Sequence, residues 1–261
     1  MPTGESAHVI RTLRVLEALA FGPCTASRLA EQLDAHPRTL RRLLGRLVAE
    51  GYASPVADGR GEYIATLKLV ALAGYVLERT DLVHVCFPYV ARLRNATGEA
   101  AQFSVPGEDG VLHLAQETGE NVALVKPRLG EQVPYHATAS GKALLAHLPD
   151  RVQRVLERGL IAYTDQTLTD PADLLLNLTR VRDVGYAVDD RELSDDVRCV
   201  AAPVRDHTGA VIGCIGISAP STRLALADVP DTAQHVLEAA ETLSETLGFD
   251  ARRNAAARVP E

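Results

Sequence analysis

The sequence predicts an α+β protein in two parts, and three observations carry that prediction. The first quarter reads as short helices with leucines at helical spacing, followed by a turn between two β-favouring runs. The remainder sets apolar, partly β-branched runs suited to antiparallel strands among helix-like stretches. At 261 residues the chain is also longer than one average domain.

Taking the elements in order, Thr25 is placed to cap a helix bearing Leu29, Ala30 and Leu33. The connection through Asp34 and Ala35 is short enough to cross that helix with the next. A second helix opens at Pro37, whose fixed φ suits a first turn, and closes before Gly51. Leu40, Leu43, Leu44, Leu47 and Val48 recur at steps of three and four, so they share one buried face. Arg38, Arg41, Arg42 and Arg46 lie mostly off that stripe, and no acid occurs from His36 to Val48, although acids outnumber bases 34 to 27 overall. A charged helix face is ordinarily only solvated. Reversed local charge, a tight turn and marked helix ends together point instead to a phosphate backbone. Gly45 stands inside this helix at a cost of about 1 kcal/mol relative to alanine. Close approach to a partner is one use for it and simple tolerance the other.

Tyr52 to Thr66 contains Asp58-Gly59 between two short runs, the signal of a hairpin. Helices followed by such a hairpin make a winged helix-turn-helix, residues 1–66, with Arg60 at the wing tip. Arg38, Thr39, Arg41 and Arg42 are expected to contact bases or phosphates of double-stranded operator DNA, and Arg46 and Arg60 the phosphates.

Residues 67–80 are expected to be a linker helix. Leu67 to Glu78 is too apolar to stand in water, which leaves a dimer seam, a bridge between domains or packing within one chain. Residues 81–248 form the second domain. Leu82 to Asn95 reads as a helix ending before Gly98, and Ala100 to Val105 and Val111 to Gln116 as strands. CVAAPV at 199–204 and AVIGCIGIS at 210–218 flank a glycine-containing turn and read as a buried hairpin. Asp231 to Leu247 is the last long helix, and 249–261 a flexible tail. In YHATASGKALLAHL, residues 135–148, small residues lead into a helix whose first N–H groups, near Ala139, Ser140 and Gly141, could hold a carboxylate. The plain alternative is that Ser140 merely caps the helix. A nucleotide P-loop does not fit, because His136 and Ala143 stand where glycine and Ser or Thr are required.

Charge is unevenly shared: residues 1–65 hold eight bases and seven acids, the rest nineteen and twenty-seven. An acidic body limits indiscriminate DNA binding. Four widely spaced cysteines without CxxC, and eight histidines without HxxxH or HExxH, give no reason to expect a disulfide framework, a metal or another cofactor. With no apolar run of about eighteen residues and no signal-peptide pattern, the chain is expected to be cytoplasmic and to avoid membranes.

RLLGRLVAEGY, HATASGKALLA, GYAVDDREL, CVAAPVRDHTGAVIGCIGIS and the following STRL, in that order, resemble the IclR family of transcriptional regulators over residues 8–248. The resemblance implies a winged helix, a linker helix that makes homodimers, a GAF/PAS-like effector-binding domain, and pairing of dimers into tetramers. By motif position it also implies that Ala139 and Ser140 hold an effector carboxylate through backbone donors, with Asp189, Cys199 and Ser218 as pocket side chains. The effector is then a small organic or aromatic acid. Gly216 stands where some members have serine, which leaves room for an acid bulkier than glyoxylate. Arg38-Thr39 replaces the commoner Ser-Thr pair, so an operator is not borrowed from relatives. The rival reading is a small-acid-processing enzyme with Cys199 or Ser218 as nucleophile and His136 or His207 as base, which no GxSxG motif supports.

Overall fold

The computed structural model describes residues 4–57, 61–78, 81–119, 130 and 132–250. The chain divides into two compact units, residues 1–80 and 81–261.

The first unit runs α1 (Gly4–Phe21), β1 (Cys24–Thr25), α2 (Ala26–Gln32), α3 (Pro37–Ala49), β2 (Ala53–Pro55), β3 (Glu62–Ala65) and α4 (Lys68–Glu78). Sequence patterning misses α1, yet Val15 and Leu19, one turn apart and fully buried, join Leu29, Leu40 and Leu44 in the core. Thr25 caps α2, its hydroxyl accepting from Arg28 N at 3.2 Å. Asp34 takes a left-handed φ of 44° in the turn between α2 and α3. His36 then caps α3 ahead of Pro37, Nδ1 accepting from Arg38 N at 3.1 Å. Gly51, at φ +75°, ends α3 as expected, with Tyr52 N donating to Leu47 O at 2.8 Å. The sheet has the order β1-β3-β2, all antiparallel. The hairpin β2–β3 is present, while its tip, Asp58-Gly59-Arg60, lies outside the described residues. Lys68 ties the start of α4 to this unit: Nζ donates to Glu50 O at 2.6 Å and sits 4.0 Å from the Tyr52 ring centroid.

The second unit runs α5 (Asp81–Thr97), β4 (Ala100–Pro106), β5 (Val111–Glu117), β6 (Gln132–Val133), α6 (Ala139–Leu145), α7 (Pro149–Arg158), α8 (Pro171–Val184), β7 (Ala187–Asp190), β8 (Val197–Arg205), β9 (Val211–Pro220) and α9 (Val229–Thr246). The strands form one antiparallel sheet of order β6-β5-β4-β9-β8-β7. Side chains alternate across it. Phe103, Val200, Ala202, Ile215 and Ile217 bury one face against α5 and α9. Ala187, Ala201 and Cys214 turn to the other, where α6 and α8 supply Ala143, Leu144, Leu174 and Leu178. Within the span expected to be a tail, Phe249 N donates back to Ser244 O at 2.9 Å; residues 251–261 lie outside the described residues.

Candidate functional site

In the first unit the candidate site is one face of α3. Arg38, Arg41, Arg42 and Arg46 are all exposed and Thr39 is half-buried, while Leu40, Leu43, Leu44 and Leu47 hold the opposite face in the core. Spacings of three and four bring the four guanidinium groups onto one stripe. Gly45 lies within that stripe, and a Cβ built there meets nothing within 4 Å. Packing inside the protein therefore does not explain this glycine.

In the second unit the site begins as a row across the sheet. Asp189 of β7 stands opposite Cys199 of β8, and Cys199 opposite Ser218 of β9. Three residues spread over a span of 29 positions, from Asp189 to Ser218, thus become lateral neighbours on one face. The Cys199 thiol donates to Ser218 Oγ at 3.2 Å, and Gln102 Nε2 of β4 donates to the same oxygen at 3.0 Å. Beyond β7 the chain turns through Arg191, at φ 62°, and returns Glu192 N to donate to Asp189 Oδ1 at 2.7 Å. The Glu192 carboxylate pairs with Lys142 Nζ of α6, a lysine with no exposed surface. One continuous polar chain thereby joins four strands to α6.

The start of α6 is held above the sheet by its own close contacts. Thr138, and not Ser140, is the cap, its hydroxyl accepting from Gly141 N at 3.0 Å and donating to Pro134 O at 2.7 Å. The Gly141 N–H is thus used within the loop, correcting the expectation that it faces a ligand. Ala139 and Ser140 remain as the first two helical residues, whose N–H groups have no acceptor within the helix. The Cys214 thiol reaches Ser140 O at 3.6 Å, fixing this helix start over β9. Gly141 is obligatory: a Cβ there would stand 2.5 Å from Tyr135 Cα and carbonyl carbon. At Gly216 the sequence implied extra room. The position of a Cβ is instead taken by the Val200 carbonyl oxygen and by Ala201 Cβ at 2.8 Å, so the glycine serves close strand approach and opens no space.

Burial pushes the Asp189 carboxyl up to about 7, with the neighbouring Glu192 charge adding to the rise and Lys142 opposing it. Burial also holds the Cys199 thiol well above its ordinary value, and Asp189 raises it further. A nucleophile needs the reverse arrangement. The candidate bases are elsewhere engaged or exposed, His136 Nε2 donating to Ile161 O at 2.9 Å and His207 standing exposed in the β8–β9 turn.

Sequence reading missed Gln102, Lys142 and Glu192, and also Ser104, whose hydroxyl lies 2.7 Å from Nδ1 of buried His113. The available signal was polar residues inside apolar runs: a lysine in ASGKALLA and a glutamine in AAQFSV.

The family model for the bacterial transcriptional regulator IclR C-terminal region matches residues 74–245. This chain belongs to the IclR family. The HTH-type transcriptional regulator BhcR of Paracoccus denitrificans is 35% identical over 252 residues, spanning 95% of this chain and 89% of that protein. An IclR regulator from Alicyclobacillus acidocaldarius has the same fold, with a TM-score of 0.80 at 24% identity, covering 93% of this chain and 98% of that one. An IclR homologue from Microbacterium hydrocarbonoxydans, solved in complex with 4-hydroxybenzoate, is 26% identical with a TM-score of 0.77, covering 92% of this chain and 98% of that one. The chain is therefore a transcriptional regulator with a C-terminal ligand-binding domain, and its relatives carry the names of regulators, not of enzymes. Among the described residues, no helix is long and apolar enough to cross a membrane.

Proposed function

We propose that α3 reads operator DNA from a homodimer, itself able to pair as a dimer of dimers, and that a small organic or aromatic acid in the second unit controls this binding. The observation that carries the effector reading is the row Asp189–Cys199–Ser218 facing the helix that begins at Ala139 and Ser140. Two backbone N–H groups at a helix start suit a carboxylate, and the row offers side chains to the rest of the molecule. The complex of the Microbacterium homologue with 4-hydroxybenzoate supports an acid of this class. On α3, Arg38, Thr39, Arg41 and Arg42 are assigned to bases or phosphates and Arg46 to phosphate. Arg60, outside the described residues, keeps its assignment from sequence. The homodimer draws support from α4 and the residue before it, where Leu67, Val70 and Tyr75 are 81%, 64% and 65% exposed in the single chain. The effector acts only if it binds two geometries of the dimer with different affinity.

The test is a titration of the full-length protein against the intergenic DNA beside its own gene, at two salt concentrations, with small aliphatic and aromatic acids added. Tight, salt-sensitive binding that one acid alters is the expected result. Specific binding that no acid alters would leave a DNA-binding protein without the proposed effector.

A further inference from the structure

Five buried side-chain polar atoms among the described residues have no hydrogen-bond partner, and two of them, Glu192 Oε2 and Gln102 Oε1, belong to the polar chain of the second unit. Both residues are more than nine-tenths buried, at 6% and 3% exposure. Each has its other polar atom already committed: Glu192 Oε1 to Lys142, and Gln102 Nε2 to Ser218. The two orphaned oxygens thus stand at opposite ends of the Asp189–Cys199–Ser218 row, next to the atoms assigned to the effector. Buried oxygens left without a donor are costly and uncommon.

What remains to be matched is asymmetric. The start of α6 offers donors, the N–H groups of Ala139 and Ser140, and these suit a carboxylate. The row offers more unmatched acceptors than donors: Glu192 Oε2 and Gln102 Oε1, against the single hydroxyl hydrogen of Ser218, whose oxygen already accepts from Cys199 and Gln102. A plain acid such as acetate or benzoate consists of acceptors and apolar surface. It satisfies the helix start and leaves both oxygens orphaned. An acid with a hydroxyl or amino group on its skeleton supplies the missing donor. Sites built to hydrogen-bond such a group discriminate strongly against the analogue that lacks it.

We propose that the site selects acids that also carry a hydrogen-bond donor, hydroxy or amino acids, and that Glu192 and Gln102 are the residues that set this specificity. This deepens, and rests on, the effector reading above.

The experiment measures binding to the full-length protein by calorimetry with three matched series: acetate, glycolate and glycine; propionate, lactate and alanine; benzoate, 4-hydroxybenzoate and 4-aminobenzoate. In at least one series a donor-bearing member is expected to bind tenfold or more tightly than its parent acid. Glu192→Gln keeps an oxygen for Lys142 and turns the orphaned acceptor into a donor, so it is expected to cut that preference below threefold. Gln102→Met leaves the Lys142–Glu192 pair intact and is expected to reduce the preference too, which keeps the proposal testable if Glu192→Gln fails to fold. Parent acids binding as tightly as their donor-bearing partners would overturn the inference while leaving the acid effector standing. A preference that survives in both variants would remove Glu192 and Gln102 from the role. Binding of none of the nine compounds, with operator affinity intact, would overturn the effector reading and this inference with it.

Discussion

Asp189 is where burial and charge meet most directly. Its carboxyl rises from 3.8 in the unfolded chain to about 7 in the fold, so between those values the folded protein binds the extra proton. Stability from this residue is therefore fully present below about pH 4, declines as pH rises toward 7, and is level above that. The steepest decline is about 1.4 kcal/mol per pH unit. Asp189→Asn carries no titrating group, and chemical denaturation from pH 4 to 8 is expected to show a flatter stability profile than the parent; parallel profiles would mean that Asp189 is ionised throughout. Asp189→Ala is further expected to weaken binding of whichever acid the titration identifies while operator affinity in its absence stays unchanged. Unaltered acid affinity by calorimetry would take Asp189 out of the site. Asp189, Cys199 and Ser218 could be named as candidates from the sequence because family motifs mark their positions, and the fold sets them side by side. Gln102, Lys142 and Glu192 were not, because alternation and helical spacing tell which face a residue occupies but not which distant polar group it meets there. A lysine inside an apolar helix is readable only once Glu192, 50 residues later, is known to return beside it.

Two helix glycines separate at the level of the element. Gly45 in α3 and Gly141 in α6 look alike in sequence, each amid good helix formers, yet their surroundings are opposite. At Gly45 a methyl group meets no protein atom, so Gly45→Ala is expected to raise stability by about 1 kcal/mol. Because that methyl emerges among Arg41, Arg42 and Arg46, operator affinity should fall at the same time if α3 lies against DNA. A higher melting temperature with unchanged affinity would show the glycine to be merely tolerated. Gly141→Ala collides with the Tyr135 backbone, which cannot swing aside as a side chain would. Its expected cost is about 1–3 kcal/mol, read by denaturation, and wild-type stability would mean that the loop relaxes freely. Ends of helices and the long hairpins were legible because Pro37, Gly51, Gly98 and the turn at Gly209 punctuate them locally. The helix α1 and the two-residue strand β1 were not: α1 exposes Val9, Ile10 and Leu13 while, among its described side chains, only Val15 and Leu19 are deeply buried, which blurs its amphipathic pattern, and β1 exists only through pairing of Cys24 and Thr25 with β3.

For the molecule as a whole, the charge ledger and the exposed face of α4 bear on the same question, how a chain with 27 bases and 34 acids binds DNA selectively. Overall charge opposes binding, so affinity has to come from the local stripe on α3, and one stripe engages few phosphates. Linking two such stripes makes the second contact intramolecular and raises overall affinity by roughly 10²–10⁴ without new contacts. A dimer seam therefore matters energetically as much as any arginine. Val70 is the place to test it, being apolar, 64% exposed in the protomer and accompanied by exposed Leu67, just before α4, and Tyr75 on it. An aspartate there is well hydrated in a lone chain and becomes an unpaired charge if a second copy covers it. Val70→Asp is expected to keep the folded protomer's circular dichroism, to elute as a monomer at micromolar concentration with its mass confirmed by light scattering, and to lose at least a hundredfold in operator affinity. The residual binding should show a salt dependence about half as steep, since only one arginine stripe then displaces counterions. A variant that remains dimeric with full affinity would move the seam away from this face of α4, whereas a monomer with full affinity would mean that a single α3 suffices and that pairing of half-sites contributes nothing to selection.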